Sequence, residues 1–269
     1  MKFSVLMSVY YKEQADFLRQ ALDSVFNQTL RADEVVLVED GPLTEELDEV
    51  VEEYQQRYSE LKVVKLKENG GLGKALNEGL KHCSNELVAR MDTDDISKPD
   101  RFEKQIKFLE EHKEIDVVSS WIDEFVGTTD NVISTRKLPE TTEEIFRFGK
   151  GRNPINHPSV VFRKSAVLKA GSYQHFPLFE DYYLWVRMLM QGAKFYNLQE
   201  ALLFFRTTED MFKRRGGLKY AKTEMKFQRA MLKLGYINSL QFCKNICIRF
   251  ISRIVPNGLR GWIYRRIRG

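Results

Sequence analysis

The stretch Glu86-Leu87-Val88-Ala89-Arg90-Met91-Asp92-Thr93-Asp94-Asp95 decides how the rest of the chain is read. Its apolar start reads as a short strand entering a sheet. Three carboxylates then fall within four residues. So close together they repel one another, and each is driven toward its neutral form. A divalent cation removes the repulsion. All-oxygen ligands suit a hard ion, Mg2+ or Mn2+, which keeps coordination positions open for phosphate oxygens. An isolated Asp-x-Asp is most often a solvated acidic turn, here one capping a helix that starts near Pro99. Its place at the end of a buried strand, inside a strand–helix–strand pattern, points instead to a metal–diphosphate site.

Working back toward the N-terminus, the same alternation repeats. Residues 3–10 form an apolar run broken only by serines, a buried strand. Leu18, Ala21, Leu22, Val25 and Phe26 follow at helical spacing, with Asp16 as the expected cap. Residues 34–39 form a second strand and end in the turn Asp40-Gly41-Pro42. Residues 43–58 are helical in pattern, and residues 61–66 form a third strand. Gly70, Gly71 and Gly73 open a helix through about His82. Three rounds of strand and helix predict an α/β fold, a mostly parallel Rossmann-like sheet flanked by helices. Ligands in such sheets sit at the carboxyl ends of the strands. Those ends carry Ser8 and Tyr10, Glu39 and Asp40, the Gly-rich turn, and Asp92 and Asp94. A nucleotide fits this set: an aromatic and a carboxylate for the base, a metal for the phosphates.

The Gly-rich turn is not a Walker loop, because Lys74 is followed by Ala75 where that loop needs Ser or Thr. No Gly-x-Gly-x-x-Gly follows the first strand, which argues against a dinucleotide fold. Further on, residues 101–112 read as a helix and 116–125 as a strand. A hairpin through 127–131 returns along 132–137. His157 stands alone before an apolar strand, a position more often structural than catalytic. Glu180 and Asp181 open a helix containing Leu184, Trp185, Met188 and Leu189. Acids at a helix N-terminus are favoured by the dipole alone, so these two fit a structural role as well as a catalytic one.

The chain has 269 residues and a net charge of +4. After residue 210 there are fifteen Lys and Arg and one acid, Glu224, which leaves the first 210 residues near −10. A basic tail on an acidic body suits an anionic partner. The three cysteines, Cys83, Cys243 and Cys247, form neither a zinc pattern nor a disulfide framework, as expected of a reducing, cytoplasmic compartment. No N-terminal signal is visible. Cys243, Ile246, Cys247, Phe250, Ile251 and Ile254 mark one face of a helix flanked by Lys244, Arg249 and Arg253. Pro256-Asn257-Gly258 breaks it, and Leu259, Trp262, Ile263 and Ile267 begin a second stripe among arginines. No uncharged run reaches the roughly 18–20 residues needed to span a bilayer. Basic amphipathic helices with aromatics lie on a membrane surface, and that is the expectation here, ahead of a packed helical hairpin.

Taken together and in order, six segments resemble an inverting family 2 glycosyltransferase with the GT-A fold, of the amylovoran type found in exopolysaccharide and capsule biosynthesis. They are residues 4–10, 39–41, 71–77, 89–95, 157–159 and 180–181, within a likeness that spans 3–206. The resemblance implies roles. Tyr10 stacks on the nucleobase with Ser8 beside it, and Asp40 bonds the base, normally uracil. Gly71, Lys74 and Arg90 support the donor. Asp92 faces ribose and metal, and Asp94 binds Mn2+ or Mg2+ between the donor phosphates. Asp181 is the general base. The implied partners are a nucleotide-sugar donor and a saccharide acceptor on a polyprenyl diphosphate, with no nucleic acid. Peripheral attachment to the inner face of the bacterial membrane follows. Residues 1–210 form the transferase domain, with a nucleotide part (1–97) and an acceptor part (98–210), and 211–269 form a basic helical appendage. Two departures stand out. Arg206-Thr207-Thr208 replaces the family's Arg-x-His, and the Gln-x-x-Arg-Trp of processive synthases is absent, which favours transfer of one sugar. A sugar nucleotidylyltransferase and a non-catalytic membrane- or nucleic-acid-binding module are the rival readings.

Overall fold

The first four strands lie side by side, three of them buried on both faces and the one at the sheet edge carrying exposed Lys62 and Lys65. They are β1 (Phe3–Val9), β2 (Glu34–Glu39), β3 (Leu61–Lys65) and β4 (Leu87–Asp92), parallel in the order β3-β2-β1-β4. Between them run α1 (Ala15–Phe26), α2 (Glu45–Arg57) and α3 (Leu72–His82). Alternation along the strands feeds two cores. Leu6, Val36 and Val38 face Ala75, Leu76 and Leu80 of α3. Val5, Met7, Val35 and Leu37 face α1 and α2 on the other side. Each fully buried Val, Leu or Phe contributes about 1.5–3 kcal/mol relative to exposure. Gly79 lets α3 approach closely, since a Cβ there would collide with Leu6 and lie 2.6 Å from Val38 Cγ2.

This computed structural model describes residues 1–208 and 217–254, with side chains at 1–208 and 220–248. After β4 come β5 (Ile96–Ser97), α4 (Arg101–Glu111), β6 (Val117–Phe125), β7 (Val132–Arg136) and α5 (Thr142–Phe148). A 3-10 turn (His157–Ser159), β8 (Val161–Arg163), α6 (Lys164–Lys169), α7 (Glu180–Met190) and β9 (Phe195–Arg206) complete the body. The second half of the sheet is mixed. β8 bridges β4 and β6 antiparallel to both, β9 runs parallel to β6, and β5 pairs antiparallel with β9. β7 returns along β6 as a hairpin.

Two local expectations change. α1 begins at Ala15 behind Gln14, so Asp16 lies in its first turn and meets the helix dipole there without capping it. The C-terminal helices α8 (Gly217–Lys233) and α9 (Ser239–Ile254) form, and α8 buries Phe227 and Met231 against Phe179 and Tyr182. In α9 the face turned inward carries Phe242, Asn245 and Ile246, while Cys243, Cys247 and Ile248 are exposed. Of the expected stripe only Ile246, among described side chains, points to the body, because Asn245 is drawn in by hydrogen bonds to Gln228 and the Lys150 carbonyl. The second stripe with Trp262 lies outside the described residues. Among the described residues, no helix is long and apolar enough to cross a membrane.

Candidate active site

Parallel pairing in register sets Ser8 of β1 beside Asp92 of β4, and Val9 beside Glu39 of β2. The polar strand ends therefore share one edge of the sheet. Beyond Asp92 the chain turns sharply before β5. The turn gathers Asp92, Asp94 and Asp95, each offering an oxygen within 4.8 Å of the others. Asp92 and Asp94 keep partial exposure, whereas Asp95 is buried. A fourth acid comes from the loop after β1: Thr93 Oγ1 donates to Glu13 Oε2 at 3.2 Å.

Three arginines stand against these four acids. Arg90 is 1% exposed and pairs with Asp92, while its Nε and Nη1 have no partner. Burial opposes its charge, but Asp92 outweighs that and keeps the guanidinium ionised. Arg90 thus lies beneath the cleft and reaches it through Asp92. Arg206 donates its backbone N–H to Asp95 Oδ1 at 2.9 Å and Nε to the Asp94 carbonyl at 2.8 Å. Arg101, fully buried, holds the Arg90 carbonyl at 2.7 Å and Ser97 Oγ at 2.9 Å. Burial, and then the charge of Arg90, lowers the pKa of Arg101 to about 9.

The acids remain short of positive charge. Burial, then Asp92 and Glu13, push the pKa of Asp94 up to about 7. Burial, then Asp94 and Asp92, hold that of Asp95 well above the carboxylate range, and burial raises that of Glu13. Asp95 Oδ2 is buried with no hydrogen-bond partner. Converging carboxylates, an orphaned oxygen and oxygen-only donors fit a hard divalent cation, which Asp92, Asp94 and Asp95 would hold.

On the neighbouring strand end, the Asp40 carboxylate accepts from the N–H groups of Gly70 at 2.7 Å and Gly71 at 3.0 Å. It orders the Gly-rich turn while each oxygen keeps a second lone pair for a ligand. Gly41 has φ +85°, and a Cβ there would lie 2.6 Å from the Asn69 nitrogen, so only glycine fits. Tyr10 is half-buried and meets Tyr11 edge-on at 5.8 Å. Gly71 precedes α3, and Lys74 is exposed one turn on.

Asp181 sits in the first turn of α7. Its Oδ2 accepts from Asn153 Nδ2 at 2.7 Å, and its carboxylate also takes the Tyr182 N–H. Burial raises its pKa, while those donors and the charge of Arg90 oppose the rise. α7 abuts the Gly-rich turn: a Cβ on Gly73 would stand 3.1 Å from Glu180 Cγ. Tyr173, pinned to Asn77 at 2.6 and 2.9 Å, lies within reach of the charges of Arg90, Asp181 and Asp92. His157 is buried, and its Nε2 meets Tyr173 Oη at 2.9 Å with Trp185 alongside. Burial and Arg90 depress its pKa well below the usual value, so it is a neutral core residue. Glu13 and Asn153 carry no motif that would have marked them. Arg206 drew notice only for the missing histidine after it.

Comparison with known proteins places this geometry. The profile of Glycosyl transferase family 2 matches residues 4–170. The Amylovoran biosynthesis glycosyltransferase AmsE of Erwinia amylovora is 41% identical, with 99% of each chain covered. An Escherichia coli UDP-Gal:alpha-D-GlcNAc-diphosphoundecaprenol beta-1,3-galactosyltransferase is 38% identical, covering 99% of this chain and 96% of that one. The solved structure of S. aureus TarS 1–349 in complex with UDP-GlcNAc superposes with a TM-score of 0.69 at 20% identity, over 93% of this chain and 72% of that one. The last likeness shows the fold, which is GT-A. The family match spans most of the sheet and its strand-end acids, and the relatives share nearly the whole length, so the chain is a glycosyltransferase of family 2.

Proposed function

We propose that the protein transfers one sugar, with inversion, from a UDP-sugar to a hydroxyl of a polyprenyl-diphosphate-linked saccharide during synthesis of a bacterial surface polysaccharide. One observation carries the reading: a carboxylate cluster suited to a divalent ion and a separately held carboxylate, Asp181, flank the same buried guanidinium, Arg90. The names of the two long relatives support the substrate classes.

Tyr10 takes the base and Asp40 bonds it, with Ser8 beside them. Asp92 and Asp94, backed by Asp95, would hold Mn2+ or Mg2+, with Asp92 also facing the ribose. A bound ion of this kind offsets the charge growing on a departing diphosphate. Lys74 and Gly71 lie toward the phosphates, and Arg90 acts through Asp92. Asp181 accepts the acceptor hydroxyl's proton as that oxygen attacks the anomeric carbon from the opposite face. A single displacement needs no enzyme nucleophile. Residues 1–97 hold the donor, 98–210 shape the acceptor side, and 211–269 form the basic appendage. Assaying UDP release from a panel of UDP-sugars with Mn2+ and a lipid-linked acceptor tests the reading. No release with any donor, metal and acceptor combination rejects it.

The appendage places the enzyme peripherally on the inner membrane face. Basic residues near an anionic surface contribute on the order of 1 kcal/mol each, and Leu240, Cys247 and Ile248 stand exposed on α9. Full-length protein should pellet with anionic vesicles at low salt, and Leu240→Glu with Ile248→Glu should weaken this. Indifference of the full chain to such vesicles refutes the placement.

A further inference from the structure

Asn153 lies in the loop between α5 and the 3-10 turn, and both ends of its amide are engaged. Nδ2 donates to Asp181 Oδ2 at 2.7 Å, while Oδ1 accepts from the Ile155 N–H at 3.3 Å. The second bond decides which way the amide faces, because it ties the acceptor end to backbone and leaves the donor end for the carboxylate. Pro154 follows and restricts the backbone of Asn153.

The loop is anchored from two directions. Tyr182, next to Asp181, donates its Oη to the Gly149 carbonyl at 2.5 Å. From the C-terminal helices, Asn245 Nδ2 donates to the Lys150 carbonyl at 2.8 Å and to Gln228 Oε1 at 2.9 Å. Tyr236, between α8 and α9, donates to the Phe146 carbonyl at 2.8 Å, and its Oη fills the space a side chain on Gly149 would need. The helical pair is therefore built into the wall that carries Asn153.

We infer that Asn153 is a positioning residue for sugar transfer, setting the rotation of the Asp181 carboxylate and favouring its ionised form, and that α9 sets Asn153 through Asn245. The inference rests on the reading of Asp181 as the base. The charged and titratable groups around Asp181 are Arg90, which favours ionisation, its neighbour Glu180, and Tyr173. Against that background Asn153 is the one neutral side-chain donor that the structure records on the carboxylate among the described residues. Removing it leaves burial less opposed, so proton uptake by Asp181 shifts to higher pH.

The test measures kcat against pH, with donor affinity by calorimetry, for the full chain. Asn153→Ala should lower kcat by about 10–100-fold, the usual cost of losing a group that orients a functional side chain. The acidic limb of the profile should move to higher pH with UDP affinity unchanged. Asn153→Asp keeps the bond to Ile155 and the side-chain shape, which covers the case of an unstable alanine variant, and should move the limb further. Asn245→Ala should move it in the same direction by less. Activity lost with an unmoved limb means a purely structural role and overturns the inference. Wild-type behaviour of Asn153→Asp overturns it too, and an unmoved limb in Asn245→Ala overturns the part played by α9. The base reading fails on a different result, namely Asp181→Asn that still transfers sugar, and the inference then falls with it.

Discussion

The acids behind β4 and the acid at the head of α7 are both buried, yet they lack different things. Asp92, Asp94, Asp95 and Glu13 chiefly face one another, and their arginines leave one buried oxygen with no partner. Asp181 stands among N–H donors, from Asn153 and the first turn of its own helix, and asks for no further cation. Burial raises the pKa on both sides, but in the cluster like charges come next and add to it, whereas at Asp181 hydrogen-bond donors come next and oppose it. The difference teaches how one cleft can suit two tasks: a surplus of carboxylate is fitted to receive a cation, and a singly held carboxylate, on the proposed function, to receive a proton.

The comparison breaks most severely at Asp181. Asp181→Asn should cut transfer by roughly 10²–10⁴-fold, the worth of positioned base catalysis, while Mn2+-dependent UDP binding in a calorimeter stays as in the wild type. Near-normal turnover would hand the role to another group. Asp94→Asn should do the reverse, weakening Mn2+-dependent UDP affinity by about 10–100-fold with the fold retained by circular dichroism. Asp94 is the better choice than Asp92, because removing Asp92 leaves Arg90 buried and unpaired at a cost of about 3–5 kcal/mol. Unchanged affinity in Asp94→Asn would detach the cluster from the donor.

A pH series sharpens the contrast. Asp94 titrates in the fold near 7, above its ordinary range, so the stability it contributes is full in acid and lost as pH rises through that value. Asp95 and Glu13 act in the same sense. His157 acts oppositely, since its buried neutral ring resists protonation as pH falls below its usual value. Between about pH 6.5 and 8 the metal-free protein should therefore melt lower as pH rises, and Mn2+ should bind more tightly and remove the trend. A flat melting profile without metal contradicts this. The smallest effect belongs to Gly73, where the two halves touch. Gly73→Ala presses on Glu180 Cγ at 3.1 Å, which must give by a few tenths of an ångström, and should lower transfer about two- to tenfold with donor affinity held. Loss of donor affinity in proportion would show that the contact shapes the nucleotide side instead.

The same divide governs what could be read from sequence. β1, β2 and β4 declare themselves because a parallel strand covered on both faces is an unbroken apolar run, and their carboxyl ends put Ser8, Asp40 and Asp92 in view. β5 does not, since two residues, Ile96 and Ser97, become a strand only by pairing with β9. Asn153 looks like any loop asparagine until Asp181 is folded against it. The α9 stripe shows that period reveals a helix but not the side it turns inward. That side follows Asn245, a polar residue whose partners, Gln228 and Lys150, are remote in sequence.

The bond from the Arg206 N–H to Asp95 joins residues 111 positions apart in the chain. At about 5–20 residues per second, a ribosome needs on the order of ten seconds to make that span. For that interval the residues of β1 to β4 and of the turn have been made, and those of β9 have not. The Asp-x-Asp-Asp turn is thus complete in sequence long before the strand that supports Asp95 from behind has been made.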